Sequence, residues 1–451
     1  MHPTIETKQS QLSISSPIVG KNSPIAYGLG SFGLASLYKV FAGFYMFYYI
    51  DKLGLAIALA AIINVVFGIW DALNDPLVGF LSDNTRSRWG RRKPWLLVGL
   101  PFFVSILVMV YAVPKQFLHG NVLFWYALII FFLFEGAYTV MDINYAALFP
   151  ELFQNIKDRA HASSYYQGLT MLGELVGFAI PPFIYAKFGF IPMALSFAGV
   201  AGIILFLAII QHKEDPIALK TPPLYLRDAF TEVLKDRPFL LFSIALTFLT
   251  FTTGVYTLAT PFWVKYTIGA SPQVTSLIFA IVFSVAILSV SIWGRSTRTL
   301  GIKRTWLVSV AVMIASAIIL GLASNLVTGA IGAAVAGAGL GGVKVCRELI
   351  MANFVDINLR RTGHRREGIY YSLMRFIGKL SKILESLALV LLGVLFGYVS
   401  GGNPGPQPGN AFRFLISVFP LVFTCIAWLI ASRISFDYKP DLSHPGSEQI
   451  K

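Results

Sequence analysis

Charge is scarce in this chain. Asp, Glu, Lys and Arg together make up 13% of its 451 residues, where a soluble globular domain carries about a quarter. Acidic residues are the scarcer sign, 22 against 36 basic ones, and cysteine occurs twice. So little charge over so long a chain excludes an ordinary soluble enzyme. Cys346 and Cys425 both lie inside apolar runs. They read as small core residues, so a disulfide framework and a thiolate metal centre are not expected. The first 23 residues are polar and Ser-rich, without the pattern of a cleavable signal. Residues 1–23 and 437–451 read as cytoplasmic tails.

What the chain has instead is apolar surface: 56% of residues are hydrophobic and the mean hydropathy is +0.68. The apolar residues fall in long blocks, near 24–50, 55–82, 94–113, 121–149, 162–187, 190–211, 239–266, 273–294, 303–323, 326–356, 368–398 and 411–434. Each is long enough to cross a hydrocarbon layer about 30 Å thick as a helix. The expected fold is therefore all-α, with twelve transmembrane helices.

A net charge of +14 raises the question of nucleic acid, but the placement of the cations answers it. Arg86, Arg88, Arg91, Arg92 and Lys93 follow span two, Lys157 and Arg159 span four, Arg295, Arg298, Lys303 and Arg304 span eight, and Arg360, Arg361, Arg365 and Arg366 span ten. Lys213, Lys220, Arg227, Lys235 and Arg237 lie between spans six and seven. The alternate gaps hold little beyond Lys52, Lys115, Lys187 and Lys265. This alternation is the positive-inside bias of a multi-pass membrane protein, with both termini cytoplasmic. A bacterial inner (plasma) membrane is expected, with lipid and a small solute as partners, no nucleic acid, and a monomeric state.

The chain repeats at half-length. The basic turn around Gly90 recurs around Gly301, an offset of 211, and Tyr165, six residues past Arg159, matches Tyr371, six past Arg365, an offset of 206. Two six-helix bundles, 24–211 and 239–436, joined by a charged 212–238 linker, place a solute site between the halves by the logic of repeat-built transporters. The Gly-rich run Gly329, Gly332, Gly337, Gly339, Gly341 and Gly342 lacks the Lys-Ser/Thr of a phosphate loop. It fits close helix packing instead.

A charge inside a span costs about 3 kcal/mol on insertion scales, so each one asks for a role. Asp71 and Asp75 stand at i, i+4 on one face of span two, with Asn74 beside them. Span four brings Glu135, Thr139 and Asp142, and span eleven carries Arg375, Lys379 and Lys382 as a stripe with Glu385 one turn beyond. Carboxylates one turn apart plus a third from another helix make a hard-oxygen cage suited to Na⁺ or H⁺. Lys379 can neutralise that cage when it is empty and be displaced when the cation arrives. At the cytoplasmic edge Asp83, Arg86, Arg91 and Arg92 form a candidate gate.

These residues carry a resemblance. Trp70-Asp71-Ala72-Leu73-Asn74-Asp75-Pro76, Arg86-Ser87-Arg88-Trp89-Gly90, Lys93-Pro94-Trp95, Tyr138-Thr139-Val140-Met141-Asp142-Ile143, Tyr27-Gly28-Leu29-Gly30-Ser31-Phe32-Gly33 and the stretch from Glu367 to Lys379 resemble the glycoside–pentoside–hexuronide:cation symporters of the major facilitator superfamily. The resemblance implies two pseudo-symmetric six-helix bundles and alternating-access symport of a sugar, glycoside or uronide with Na⁺ or H⁺. It places the cation site at Asp71, Asn74, Asp75, Thr139 and Asp142, with Lys379 as the coupling residue. Where members of that family have an Asp, an Arg and a Trp in the sugar site, this chain has Ala35, Gln167 and Ala146.

Without that Asp and Arg, the candidates for contact with the solute are Lys39, Glu135, Asp142, Gln167, Glu174, Arg375 and Lys382. Most intramembrane acids lie in the N-terminal half and most bases in the C-terminal half. Arg375 and Lys382, about 10 Å apart along a helix, are expected to favour an anionic or zwitterionic solute. A lysophospholipid carrier of the same fold is a further reading. The competing class is a membrane prenyltransferase, since Asn74-Asp75 begins a diphosphate-binding motif. Val78 stands where its next Asp belongs, however, and the half-length repeat does not suit that fold.

Overall fold

A computed structural model of the chain describes residues 23–87, 89–117, 120–153, 156–212, 235–362 and 367–434. Residues 1–22 and 435–451, which hold the tails read from sequence apart from Ser23, fall outside the described residues, as do residues 213–234 of the linker. In the N-terminal half the helices are α1 (Pro24–Phe47), α2 (Ile57–Asp83), α3 (Lys93–Tyr111), α4 (Gly120–Leu152), α5 (Ile156–Ala179), α6 (Pro181–Phe188) and α7 (Phe190–Gln211). The C-terminal half comprises α8 (Arg237–Trp263), α9 (Pro272–Thr299), α10 (Ile302–Leu322), α11 (Leu326–Thr362), α12 (Glu367–Gly378), α13 (Leu380–Phe396) and α14 (Pro408–Arg433).

Eleven spans among the described residues are long and apolar enough to cross a membrane, α5 and α6 counting as one across the Pro181-Pro182 step. The remaining apolar block is interrupted: α12 and α13 meet at Lys379, which leaves the helix for a single turn residue. That interruption is why one span falls short as a continuous helix. The chain is an integral, multi-pass membrane protein. Exposed Leu288, Leu322 and Val394 turn their side chains outward, where lipid replaces water.

Helix starts follow local chemistry. The Ser23 hydroxyl accepts from the Ala26 amide and the Asp236 carboxylate from Phe239, each at 3.3 Å, capping α1 and α8. Proline sits in the first turn of α1, α8, α9 and α14, where its missing N–H costs nothing. The halves meet where α13 packs on α2, α9 on α5 and α1 on α8. The Gly-rich run of α11 packs closely, as its small residues predicted. A Cβ on Gly337 would stand 2.2 Å from the Val282 carbonyl oxygen of α9, and one on Gly339 would stand 3.0 Å from the Met313 nitrogen of α10.

The repeat has a conformational mark. The first helix of each half ends in a π-helical turn, Tyr48–Lys52 after α1 and Val264–Ile268 after α8. Such turns rarely persist without a purpose.

Candidate functional site

Two adjacent turns of α2 place Asp71, Asn74 and Asp75 against α4, where the Thr139 hydroxyl donates to Asn74 Oδ1 at 3.0 Å and faces Asp75 Oδ1 at 3.5 Å. Lys379, from the other half, closes the cluster. Its Nζ lies 2.9 Å from Asp71 Oδ1 and 2.5 Å from Asp75 Oδ2, and it also donates to the Asp71 carbonyl. All the protein atoms around the ammonium group are thus oxygens, a donor set for a hard cation.

Sequence placed Glu135 among solute contacts, but the structure buries it against Asp71, away from the central cavity. Asp71 and Asp75 against Lys379 leave this cluster one formal negative charge in excess, with the buried Glu135 carboxyl hydrogen-bonded to Asp71. Asp142 stands one turn along α4, 3.6 Å from Arg375 Nη1. Arg375 is half-exposed, with Asp142 as its ion-pair partner.

A cavity of about 280 Å³ lies between the halves. Tyr38, Phe178, Trp263 and Phe283 give it apolar walls, and five charged side chains line it: Lys39, Glu174, Lys344, Lys382 and Glu385. Glu174 of α5 joins Lys39 of α1 at 3.3 Å and pairs with Lys344 of α11, tying the two halves together. Lys382 and Glu385 of α13 pair at 2.8 Å. Gly254 lets Glu385 reach α8, since a Cβ there would fall 2.0 Å from its Oε1. The Lys382 amide donates to the Lys379 carbonyl at 3.1 Å, so one turn of backbone joins the cavity to the acid cluster. Gln167 is exposed and does not line the cavity. Arg375 and Lys382, expected to hold an anion, face carboxylates of the chain itself.

The gate expected at the cytoplasmic edge packs within the N-terminal half in the contacts described. Arg91 pairs with Glu151, and the buried Arg92 donates to Ser82 Oγ at 2.5 Å and reaches Asn144 at 3.5 Å. Arg86 bonds the Thr85 carbonyl at 3.3 Å, and the side chain of Asp83 lies outside the described residues. Nearby, the imidazole of His212 is buried beside Tyr27 and Tyr145. Burial, aided by the Lys93 ammonium, pushes it down to about 4, so it stays neutral at neutral pH.

A further charged contact between the halves, one that sequence reasoning missed, joins the two π-helical turns. Lys265 Nζ binds both Asp51 oxygens, at 2.7 and 2.8 Å, and the Tyr266 hydroxyl donates to the same carboxylate. The Asp51 side chain is wholly buried. The two π-helical turns therefore face each other across the repeat axis. In the sequence Lys265 reads only as a topology cation; Asp51, an acid beside Lys52 in a gap of few charges, is the available signal.

Residues 26–438 match the profile of the family described as MFS/sugar transport protein. The isoprimeverose transporter of Lactiplantibacillus pentosus is 25% identical over 88% of this chain and 85% of its own. The glucuronide carrier protein homolog of Escherichia coli is 23% identical over 90% of each chain. Among solved structures, a D-xylose–proton symporter superposes with a TM-score of 0.66 at 16% identity, over 92% of this chain and 99% of that one, a likeness of fold.

Proposed function

The chain belongs to the MFS/sugar transport protein family, and on that premise we propose that Asp71, Asn74, Asp75, Thr139 and Asp142 form the coupling-cation site of a symporter, with Lys379 as its built-in competitor. The protein is a transporter and not an enzyme, and its activity is cation-coupled symport of a sugar-type solute by alternating access. The observation that carries the site is Lys379, which reaches from the C-terminal half to Asp71 at 2.9 Å and Asp75 at 2.5 Å in the N-terminal half.

A Na⁺ or H⁺ arriving at these carboxylates competes with the ammonium group for the same oxygens. Occupancy therefore changes what holds the halves together, which gives the two ligands a shared free energy. Lys382 and Glu385, one turn further along the broken span, feel any shift of Lys379 directly. The expected result in proteoliposomes is accumulation of a glycoside or uronide under an imposed inward Na⁺ or pH gradient, lost when an ionophore collapses the gradient. Simple equilibration that ignores both gradients would show a facilitator and rule out the coupling site.

Both termini are assigned to the cytoplasm of a bacterial inner membrane, and the protein to a monomer. The alternating basic loops support the orientation. Ser23→Cys in intact cells is expected to react with a membrane-impermeant maleimide only after permeabilisation. Reaction in sealed cells would invert the topology.

A further inference from the structure

We propose that the central cavity carries an anion subsite built from Lys39 and Lys344, and that the solute bears a single negative charge on a partly apolar body. This rests on the reading of that cavity as the solute site of a symporter, and deepens it by naming the class of solute and the side chains that select it.

Charge balance makes the case. Of the five charged residues lining the cavity, Lys382 and Glu385 satisfy each other at 2.8 Å. Lys39 and Lys344, by contrast, share one carboxylate, Glu174. Each ammonium carries three donors, and among the described residues neither has a second carboxylate within ion-pair distance. The subsite thus holds one formal positive charge in excess, with side chains only 25% and 30% exposed. An uncompensated charge at that depth is unfavourable, and a neutral solute would seal it in. A carboxylate, sulfonate or phosphate monoester carrying one charge would complete it, gaining charge-assisted hydrogen bonds from both lysines.

The surroundings favour such a ligand. Lys39 Nζ lies 5.6 Å from the ring centroids of both Tyr38 and Phe178, which leaves aromatic surface beside the charge for the solute's apolar face. The two lysines belong to opposite halves, Lys39 on α1 and Lys344 on α11. A bound anion therefore bridges the halves, as a solute must if its binding is to drive their relative motion. The signs are also complementary: the acid cluster around Asp75 is in negative excess and takes a cation, whereas the lysine subsite is in positive excess and takes an anion.

The test uses matched pairs that differ only at C6, hydroxymethyl against carboxylate: methyl and phenyl glucosides against the corresponding glucuronides, and galactosides against galacturonides. Affinities come from thermal-shift titration of the purified full-length protein. The wild type is expected to bind at least one acid about tenfold tighter than its neutral twin, the scale of one charge-assisted contact. Lys344→Gln and Lys39→Gln are expected to erase that preference, bringing the affinities for the acid and its neutral twin to within about twofold of each other. Should both lysine variants misfold, Glu174→Gln decides. Relieved of the competing carboxylate, the lysines are expected to bind the acid about tenfold more tightly.

Equal affinities within every pair, no response to any acid, or unchanged selectivity in Lys344→Gln would overturn the subsite, as would weaker or unchanged acid binding in Glu174→Gln. Gradient-independent uptake in a wild type that still prefers acids would overturn the coupling reading alone. Gradient-driven uptake without acid preference would overturn the subsite alone.

Discussion

Asp75→Asn is expected to abolish gradient-driven accumulation, lowering the initial rate of coupled uptake on the order of a hundredfold, as loss of one partner from a buried charge cluster would. The amide preserves volume and removes the charge. Asp75 Oδ2 is 2.5 Å from Lys379 and Oδ1 is 3.5 Å from the Thr139 hydroxyl. The substitution therefore strips the cluster of both its contact with the competitor and an anionic ligand for the cation. Lys379 keeps Asp71 at 2.9 Å, which holds the ammonium group in place, so the fold survives while cation exchange does not. The measurement is uptake into proteoliposomes under inward Na⁺ and pH gradients, with gradient-free counterflow as the control for a folded carrier. Normal counterflow with lost accumulation is the expected pair of results. An unchanged ion dependence in Asp75→Asn would refute the assignment.

That cluster was legible in the sequence because intramembrane charge is conspicuous against an apolar background. Asp71 and Asp75 share a face by helical periodicity alone, and Lys379 falls near the middle of its apolar block. The pairing of these charges was less legible. Arg375 and Lys382 form one stripe with Lys379, yet the break at Lys379 and the crossing of α13 over α2 decide which acid each meets. Arg375 reaches Asp142, and Lys382 turns to Glu385 on its own helix. Which cations retain spare donors depends on contacts between helices hundreds of residues apart in the chain. Lys344 lies in the Gly-rich span, whose sequence signal is packing, and only the approach of α11 to α5 brings it to Glu174. Glu135 shows the same limit. Its position on α4 was plain, but whether it faces the cavity or α2 is set by the rotation of α4 against its neighbours.

The lock between Asp51 and Lys265 leads to the second large effect. The first described residue, Ser23, and the last, Ile434, are each one crossing away from this network, so it lies at the membrane face opposite the termini. If it helps to hold the halves together at that face, weakening it favours opening there. Asp51→Asn removes the carboxylate that receives Lys265 and Tyr266. A buried pair that loses one partner forfeits about 3–5 kcal/mol. Lys265 is 40% exposed, however, and solvent screening reduces the expected penalty to about 2 kcal/mol, a population shift of roughly thirtyfold. The backbone bond from the Gly401 amide to the Ile50 carbonyl, at 3.0 Å, does not involve the side chain and keeps the turn in place. The variant should therefore fold and dwell longer in the state open at this face. A reporter is Thr257→Cys on the cavity wall, modified by an impermeant maleimide applied from the side opposite the termini. Its labelling rate is expected to rise roughly thirtyfold when Asp51→Asn is added, in step with that shift. Lys265→Gln should reproduce the effect, and the double variant should add little to either change, because both remove the same bond. A labelling rate unmoved by Asp51→Asn would mean that the aromatic and backbone contacts around Tyr266 close this face without the ion pair.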